Sequence, residues 1–159
     1  MISDDRFTRE TTALTPTLYR ISMSILRHEA DCRDAVQQAL LNVWVARGRV
    51  EEARFRTYLT RVVINECRNI QRRRMREIPV DELPDLEYIM QPEQSELREA
   101  IDLLPESLRT PLLLHYMECF NEKETADALG ISVVAVKNRL YRARKALKQK
   151  LKDWEVTPQ

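Results

Sequence analysis

The chain has 159 residues, of which 43% are hydrophobic and 32% are charged, as expected for one globular domain or two small ones. It contains only two glycines, and no apolar run approaches the roughly 18 residues that a membrane-spanning helix needs. We therefore expect an almost wholly α-helical protein without membrane insertion. Because the N-terminus lacks the basic-then-apolar order of a signal peptide, we expect it to reside in the cytoplasm.

The net charge of +1 hides an uneven distribution of charge along the chain. Residues 1–76 carry 15 Lys/Arg against 9 Asp/Glu, residues 77–106 carry 1 against 10, and residues 107–159 carry 10 against 6. Two basic segments are thus separated by an acidic one. This pattern indicates two points of contact with a polyanion.

Three helices are predicted in the first basic segment. The first covers about residues 4–27, and Pro16 is expected to mark an internal start or a kink. The second ends near Trp44, and a polar loop leads to the third, which begins near Phe55. Eight arginines and no lysine lie between residues 54 and 76. Because a guanidinium group is a planar fork for phosphates and base edges, this bias favours nucleic-acid binding over a solvated helix face.

The acidic segment predicts a linker over residues 77–93. Pro79, Pro84 and Pro92 interrupt it, so one continuous helix is excluded. We expect this linker to be extended or partly disordered. Helix should resume near Pro92, and Pro105 is expected to begin the next element. The main helix of this group is expected to start at Pro111.

The stretch after residue 120 predicts a helix-turn-helix. Asn121 and Glu124 form a plausible capping box, Gly130 suits the left-handed end of the first helix, and Ser132 can cap the second. The second helix has one apolar stripe, formed by Val136, Leu140, Ala143, Leu147 and Leu151. Its opposite face is polar and basic, with Lys137, Asn138, Tyr141, Arg142, Lys145 and Lys148, flanked by Arg139 and Arg144. Such a helix inserts into the DNA major groove; the alternative is a solvated surface helix.

No pattern in the sequence indicates catalysis, a cofactor or a metal. Cys32, Cys67 and Cys119 are odd in number and lack zinc-site spacing, so buried, reduced thiols are expected. There is no glycine-rich phosphate loop and no credible Ser/His/Asp grouping. We therefore predict that the protein is not an enzyme.

Three motifs stand in order along the chain. They are the run from Asp34 to Leu40 with the later Trp44; the segment from Phe55 to Leu59 with Asn65 and the arginine run; and a signature with Leu104, Pro105, Glu106 and Arg109 followed by residues 124–147. With these motifs the chain resembles the small extracytoplasmic-function sigma factors of bacterial RNA polymerase. It departs from the family pattern at Tyr58 (usually Trp), Thr125 (usually Ile), and Val134 with Ala135 (often Gly-Thr).

The resemblance implies an all-α fold of two small helical domains joined by a flexible acidic linker. Residues 1–76 would form a region 2-like domain that binds core polymerase and opens the −10 element. Residues 77–93 would be the linker. Residues 94–159 would form a four-helix, helix-turn-helix, region 4-like domain that binds the −35 element.

The resemblance and the local chemistry together select candidate site residues. For the −35 element they are Lys137, Asn138, Arg139, Tyr141, Arg142 and Arg144. For the −10 element they are Arg54, Arg56, Tyr58, Arg61, Asn65, Arg68, Asn69, Arg72 and Arg73, with the loop from Gly48 to Ala53 as a cradle for a flipped base. For polymerase they are Asp34, Gln37, Gln38, Asn42 and Trp44. Tyr58 has two interpretations, base stacking and core packing.

The implied partners are core RNA polymerase, through its β′ clamp and β flap, promoter DNA, and an anti-sigma factor. The function would be promoter recognition, −10 melting and transcription initiation. An alternative is a stand-alone helix-turn-helix regulator that binds duplex DNA by itself. A third interpretation is an interaction protein for which DNA is irrelevant.

Overall fold

The computed structural model describes residues 2–77 and 96–156, in which all regular structure is helical. The α-helices of these residues span Asp4–Leu26 (α1), Glu29–Ala46 (α2), Phe55–Glu77 (α3), Glu96–Asp102 (α4), Glu106–Leu112 (α5), Glu122–Leu129 (α6) and Val133–Val156 (α7). Short 3₁₀ turns at Arg47–Arg49 and Glu52–Arg54 connect α2 to α3, and a π-helical turn at Leu113–Met117 extends α5. The all-α prediction is confirmed. Among the described helices, none has the length and apolar character needed to cross a membrane.

The helix starts expected at Pro16 and Pro111 were wrong, whereas a kink of α1 at Pro16 stays a prediction. Pro16 lies inside an uninterrupted α1, which begins at Asp4 behind the capping side chain of Ser3. Pro111 lies inside α5, which already begins at Glu106 directly after Pro105, the residue at which a new element was correctly expected. The earlier start has a local cause, because an acidic residue in the first turn favours the positive end of the helix dipole. Of the predicted linker, only Glu77 is described, as the last residue of α3; residues 78–93 lie outside the described residues.

The N-terminal half, α1–α3, packs around a core from all three helices. Its largest fully buried side chains include Leu18, Ile21, Val36, Phe55 and Leu59. Phe55 begins α3 and meets Phe7 of α1 edge to face, with ring centroids 5.7 Å apart. This packing fixes the direction of α3, the helix that carries the arginine run.

The C-terminal half, α4–α7, does not stand apart from this core. A smaller buried cluster lies beneath α7 and consists of Leu104, Leu112, Ala126, Val136, Leu140 and Ala143. A second set of its apolar residues belongs to the same buried cluster as the core of the N-terminal half: Leu113, Leu114, Phe120, Ala128 and Leu129. α3 packs on α6, and α1 packs on α5. The two halves therefore form one closed arrangement.

The cysteines only partly match the expectation of buried, reduced thiols. Cys32 and Cys67 are free and buried, and burial raises their pKa to about 12 and about 11. Cys119 is free but exposed, so the expectation was wrong for this residue. It lies between the π-helical turn and α6, where the chain turns at the surface.

Candidate nucleic-acid interface

The helix-turn-helix is built by short-range contacts that the sequence signals correctly. The Asn121 side chain accepts from the Glu124 backbone N–H at 2.7 Å, and the Glu124 carboxylate accepts from the Asn121 N–H at 3.1 Å. Gly130 has a φ of 69°, a left-handed conformation that costs glycine little. Ser132 accepts from the Ala135 N–H at 3.1 Å. The predicted capping box, turn and cap are thus confirmed.

Thr125, one of the departures from the family pattern, sits fully buried in α6. Its hydroxyl donates to the Asn121 carbonyl at 2.8 Å, one turn earlier in the chain. A buried hydroxyl without such a partner would destabilise the fold. The helix-turn-helix core therefore tolerates threonine here.

The outer face of α7 is open to solvent. Val136, Leu140 and Ala143 are buried against α4–α6, and the candidate −35 residues lie on the other side. Arg139 is half-buried, whereas these candidates are exposed: Lys137, Asn138, Tyr141, Arg142 and Arg144. Tyr141 is 61% exposed, far more than a core aromatic would be. An exposed basic helix over a buried apolar stripe has the shape and charge needed to enter a major groove.

The structure adds a residue to this face that sequence reasoning missed. Arg144 donates from Nη1 to the hydroxyl of Tyr116 at 2.6 Å. Tyr116 lies in the π-helical turn, 28 positions earlier, and is 52% exposed. No local pattern links two residues this far apart, so only the fold reveals the pair.

The candidate −10 residues lie along α3 and the turn before it. Those that are exposed are Arg54, Tyr58, Arg61, Asn65, Asn69, Arg72 and Arg73. Arg72 donates to the Asn69 side chain at 2.9 Å, so one candidate base contact and one candidate phosphate contact are already joined. Tyr58 is 38% exposed, which removes the core-packing interpretation. Its ring is accessible for stacking.

The remaining two −10 candidates bind the C-terminal half. Arg56 forms an ion pair with Glu124 of α6 at 3.0 Å and stacks over the Phe120 ring, 4.2 Å from its centroid. Arg68 donates to the Leu129 carbonyl at 3.4 Å. In the closed arrangement, a carboxylate and a carbonyl therefore occupy guanidinium donors that a DNA backbone would need.

A second ion pair closes the same interface. The Glu118 carboxylate accepts from Arg20 Nε at 2.7 Å and from the Thr17 hydroxyl at 2.9 Å. Burial raises the pKa of Glu118, but the hydrogen bonds from Arg20 and Thr17 lower it more, and the pKa lies below its ordinary value of 4.5. The pKa of Glu124 is also below its ordinary value. Burial raises this pKa, but hydrogen bonds from the Asn121 N–H and from Arg56 lower it more. Both carboxylates are charged at neutral pH.

A cleft of about 640 Å³ opens between the two halves. The loop between α2 and α3 and the start of α3 form one wall, and α6 forms the other. Tyr58, Arg61 and Arg54 line the first wall, and Lys123 and Asp127 line the second. The predicted base cradle around residues 48–53 is thus partly walled in by the helix-turn-helix.

The candidate polymerase surface lies on α2. All its predicted residues are exposed: Asp34, Gln37, Gln38, Asn42 and Trp44. Asn42 donates to Glu66 of α3 at 3.0 Å, which ties this surface to the arginine-bearing helix. Sequence reasoning missed Leu41 and Val45, which are 60% and 83% exposed on the same helix. These two apolar side chains are therefore uncovered on the same helix as the candidate polymerase residues.

Comparison with known proteins identifies the family. Residues 12–77 match the family described as sigma-70 region 2, and residues 94–147 match sigma-70, region 4. The sigma-E factor of Streptomyces coelicolor is 30% identical over 140 residues, covering 84% of this chain and 79% of that protein. The extracytoplasmic-function sigma-E factor of Escherichia coli is 30% identical over 144 residues, covering 76% and 74%.

The chain belongs to the extracytoplasmic-function sigma factors.

Solved structures show that this sigma factor shares its fold with two proteins captured in complexes. One is the sigma factor RpoE of Bartonella quintana with the anti-sigma factor NepR (TM-score 0.74, 23% identity, 92% of this chain and 96% of that chain). The other is CnrH with the cytosolic domain of CnrY (TM-score 0.70, 24% identity, 95% and 90%). At these identities the likeness concerns the fold.

Proposed function

We propose that this sigma factor reads the −35 element as duplex DNA with the outer face of α7. Lys137, Asn138, Tyr141 and Arg142 would reach base edges or nearby phosphates. Arg139 and Arg144 would position the helix on the backbone. The observation that carries this proposal is the exposed basic face of α7 above a capped, well-packed helix-turn-helix.

The face of α3 would hold the melted −10 strand. Its arginines offer a positive track, Asn65 and Asn69 offer hydrogen bonds, and Tyr58 offers a stacking surface. Arg56 and Arg68 can join this track only after they leave Glu124 and Leu129. Separation of the two halves therefore precedes full promoter contact.

The division of labour follows these surfaces. Residues 1–76 would bind core RNA polymerase and the −10 element, residues 77–93 would link, and residues 94–159 would bind the −35 element. α2 would meet the β′ clamp and the C-terminal half would meet the β flap. The protein would accordingly act in the cytoplasm, where the polymerase works. An anti-sigma factor is a further proposed partner, because one structural neighbour, the sigma factor RpoE of Bartonella quintana, was solved in complex with the anti-sigma factor NepR.

Transcription in vitro with core polymerase and a randomised promoter library tests this function. The wild-type chain should select two conserved promoter elements. K137A/N138A should lose selection at the upstream element and keep it at the downstream one. R9A, which removes an exposed arginine of α1, is the matched control and should select both.

The alternative, a stand-alone regulator, makes the opposite forecast. Such a protein binds its duplex site tightly without polymerase, and polymerase adds nothing to start-site choice. A one-to-one complex with core polymerase and a start site that depends on the chain would exclude it. Tight duplex binding by the chain alone, without a polymerase complex, would overturn our proposal.

A further inference from the structure

The pair formed by Tyr116 and Arg144 lies at the edge of the exposed face of α7. Arg144 Nη1 donates to the Tyr116 hydroxyl oxygen at 2.6 Å, a short hydrogen bond. Tyr116 is itself held in place. The ring of His115 meets it edge to face at 4.8 Å, and His115 Nδ1 lies 2.8 Å from the Phe120 carbonyl. The π-helical turn thus presents the tyrosine to α7 in a defined orientation.

This contact is a poor candidate for a stabilising device. Both side chains are exposed, and a hydrogen bond that water can replace adds little to folding. Holding a long arginine in one place also costs rotamer entropy. The tyrosine leaves the arginine charge intact, whereas a carboxylate at this position would neutralise it.

The same geometry suits phosphate binding. A guanidinium has five N–H donors, and the tyrosine accepts from one of them. The phenolic O–H stays available as a donor because its oxygen is the acceptor in this bond. Two donor groups, one of them charged, thus lie next to each other on exposed side chains at the edge of α7.

We propose that Tyr116 is a positioning residue that holds Arg144 for one phosphate of the −35 duplex and donates to that phosphate itself. This inference rests on the proposed role of α7 as the −35 reader. It assigns a DNA-binding role to the π-helical turn that follows α5. Because phosphate contacts are independent of base identity, the pair should raise affinity without changing the preferred sequence.

A double-mutant cycle in the polymerase holoenzyme tests the pair. Y116F, which removes one oxygen, should weaken binding to promoter duplex by roughly threefold to tenfold. R144A should weaken it at least as much. Y116F should cost less in the R144A background than in the wild type, because only the tyrosine's own hydrogen bond to the phosphate is then lost. Y19F, a tyrosine of α1 outside both DNA surfaces, should bind as the wild type does.

Two further readouts separate positioning from general damage. R144A should reduce the slope of log affinity against log salt by about one, whereas Y116F should keep the slope because the charge remains. Replacing single phosphates by neutral methylphosphonates should identify one position at which wild type and Y116F become equal. Selection among −35 sequence variants should be the same for both.

The outcomes that contradict the proposal are distinct. Wild-type affinity for Y116F, or an equal loss by Y116F with and without Arg144, would overturn the positioning role and leave the −35 assignment standing. A wild-type holoenzyme that does not protect the upstream duplex would overturn the function assigned to α7 and this inference with it.

Discussion

Cys119 has a backbone conformation that side chains rarely adopt. Its φ is 59°, in the left-handed region that costs a residue with a Cβ roughly 1–2 kcal/mol. The conformation turns the chain between the π-helical turn and α6, so Glu118 reaches Arg20 and Phe120 enters the core. Within this turn the strained backbone is confined to Cys119, which lies where the two halves meet.

Relief of this strain should stabilise the protein. We predict that C119G raises the free energy of unfolding by about 1 kcal/mol over C119A, which lacks the thiol but keeps the Cβ. Urea denaturation of both variants measures the difference. An advantage for alanine would show that the backbone entropy lost by glycine on folding outweighs the strain at this position.

Individual side-chain partners were the least predictable feature. The Asn121–Glu124 box was predictable because its partners are three positions apart and fold together. The hydrogen bond between Tyr116 and Arg144 was not predictable, because it depends on how the π-helical turn packs against α7. The exposure of Tyr58 was equally beyond reach, because burial is decided by elements distant in sequence.

At the scale of elements, the C-terminus of α1 is closed by an arginine from α5. A helix ends with unpaired carbonyls, and Arg109 donates to the Ser24 carbonyl from Nε at 2.8 Å and from Nη2. Nη1 also donates to the Leu104 carbonyl at 2.6 Å. Burial, and next the charge of Arg27, lower the pKa of Arg109 to about 10, so it stays protonated at neutral pH. One buried cation thus joins two halves.

A lysine cannot replace this fork, because its single ammonium group cannot reach carbonyls on two sides. R109K should therefore reduce the free energy of unfolding by roughly 2–3 kcal/mol, the cost of leaving buried acceptors unpaired. R33K, at an exposed arginine of α2, is the matched control and should change little. Equal urea midpoints for R109K and R33K would contradict the role of Arg109 as the cap of the C-terminus of α1.

Helices with strong local signals were predicted well, and those with weak ones were not. α6 and α7 have caps, a glycine stop and an apolar stripe, and their prediction was confirmed. α5 was placed late because Pro111 was interpreted as a start. Instead, the helix begins at Glu106 and tolerates the proline, then widens into the π-helical turn.

For the whole molecule, the closed arrangement treats the two candidate DNA surfaces differently. The outer face of α7 stays exposed, whereas Arg56 and Arg68 of α3 are bound to the C-terminal half. Sequence patterns predicted both surfaces but gave no sign of their contact. Docking of one half on the other depends on matching surfaces that no short-range pattern encodes.

Release of Arg56 should change single-strand binding in a predictable direction. In the free chain, E124Q should raise affinity for single-stranded −10 DNA about twofold to fivefold, because a half-buried carboxylate that competes for Arg56 loses its charge. Glutamine can still serve the capping box. R56A should lower the same affinity. Fluorescence anisotropy measures both, and E99Q is the charge-matched control; equal effects of E124Q and E99Q would exclude competition by Glu124.

The same interface should weaken in acid. Glu118 has a pKa below 4.5 in the closed form, so its contribution is present above that value and is lost as pH falls through the lower, closed-form pKa. The difference in unfolding free energy between wild type and E118Q should stay constant from about pH 7 to about pH 5 and then shrink. A difference that persists through about pH 3 would show that the charge of Glu118 is unimportant.

The apolar cluster shared by the two halves determines how the free protein behaves when the halves separate. When α6 leaves α3, Leu113, Leu114, Phe120, Ala128 and Leu129 lose their cover. A newly exposed apolar surface binds other apolar surfaces, including the same surface on further copies of the chain. Separation of the two halves therefore avoids self-association only when a partner protein covers the exposed cluster. A cell that holds more copies of this chain than of its partners must keep the surplus copies in the closed arrangement.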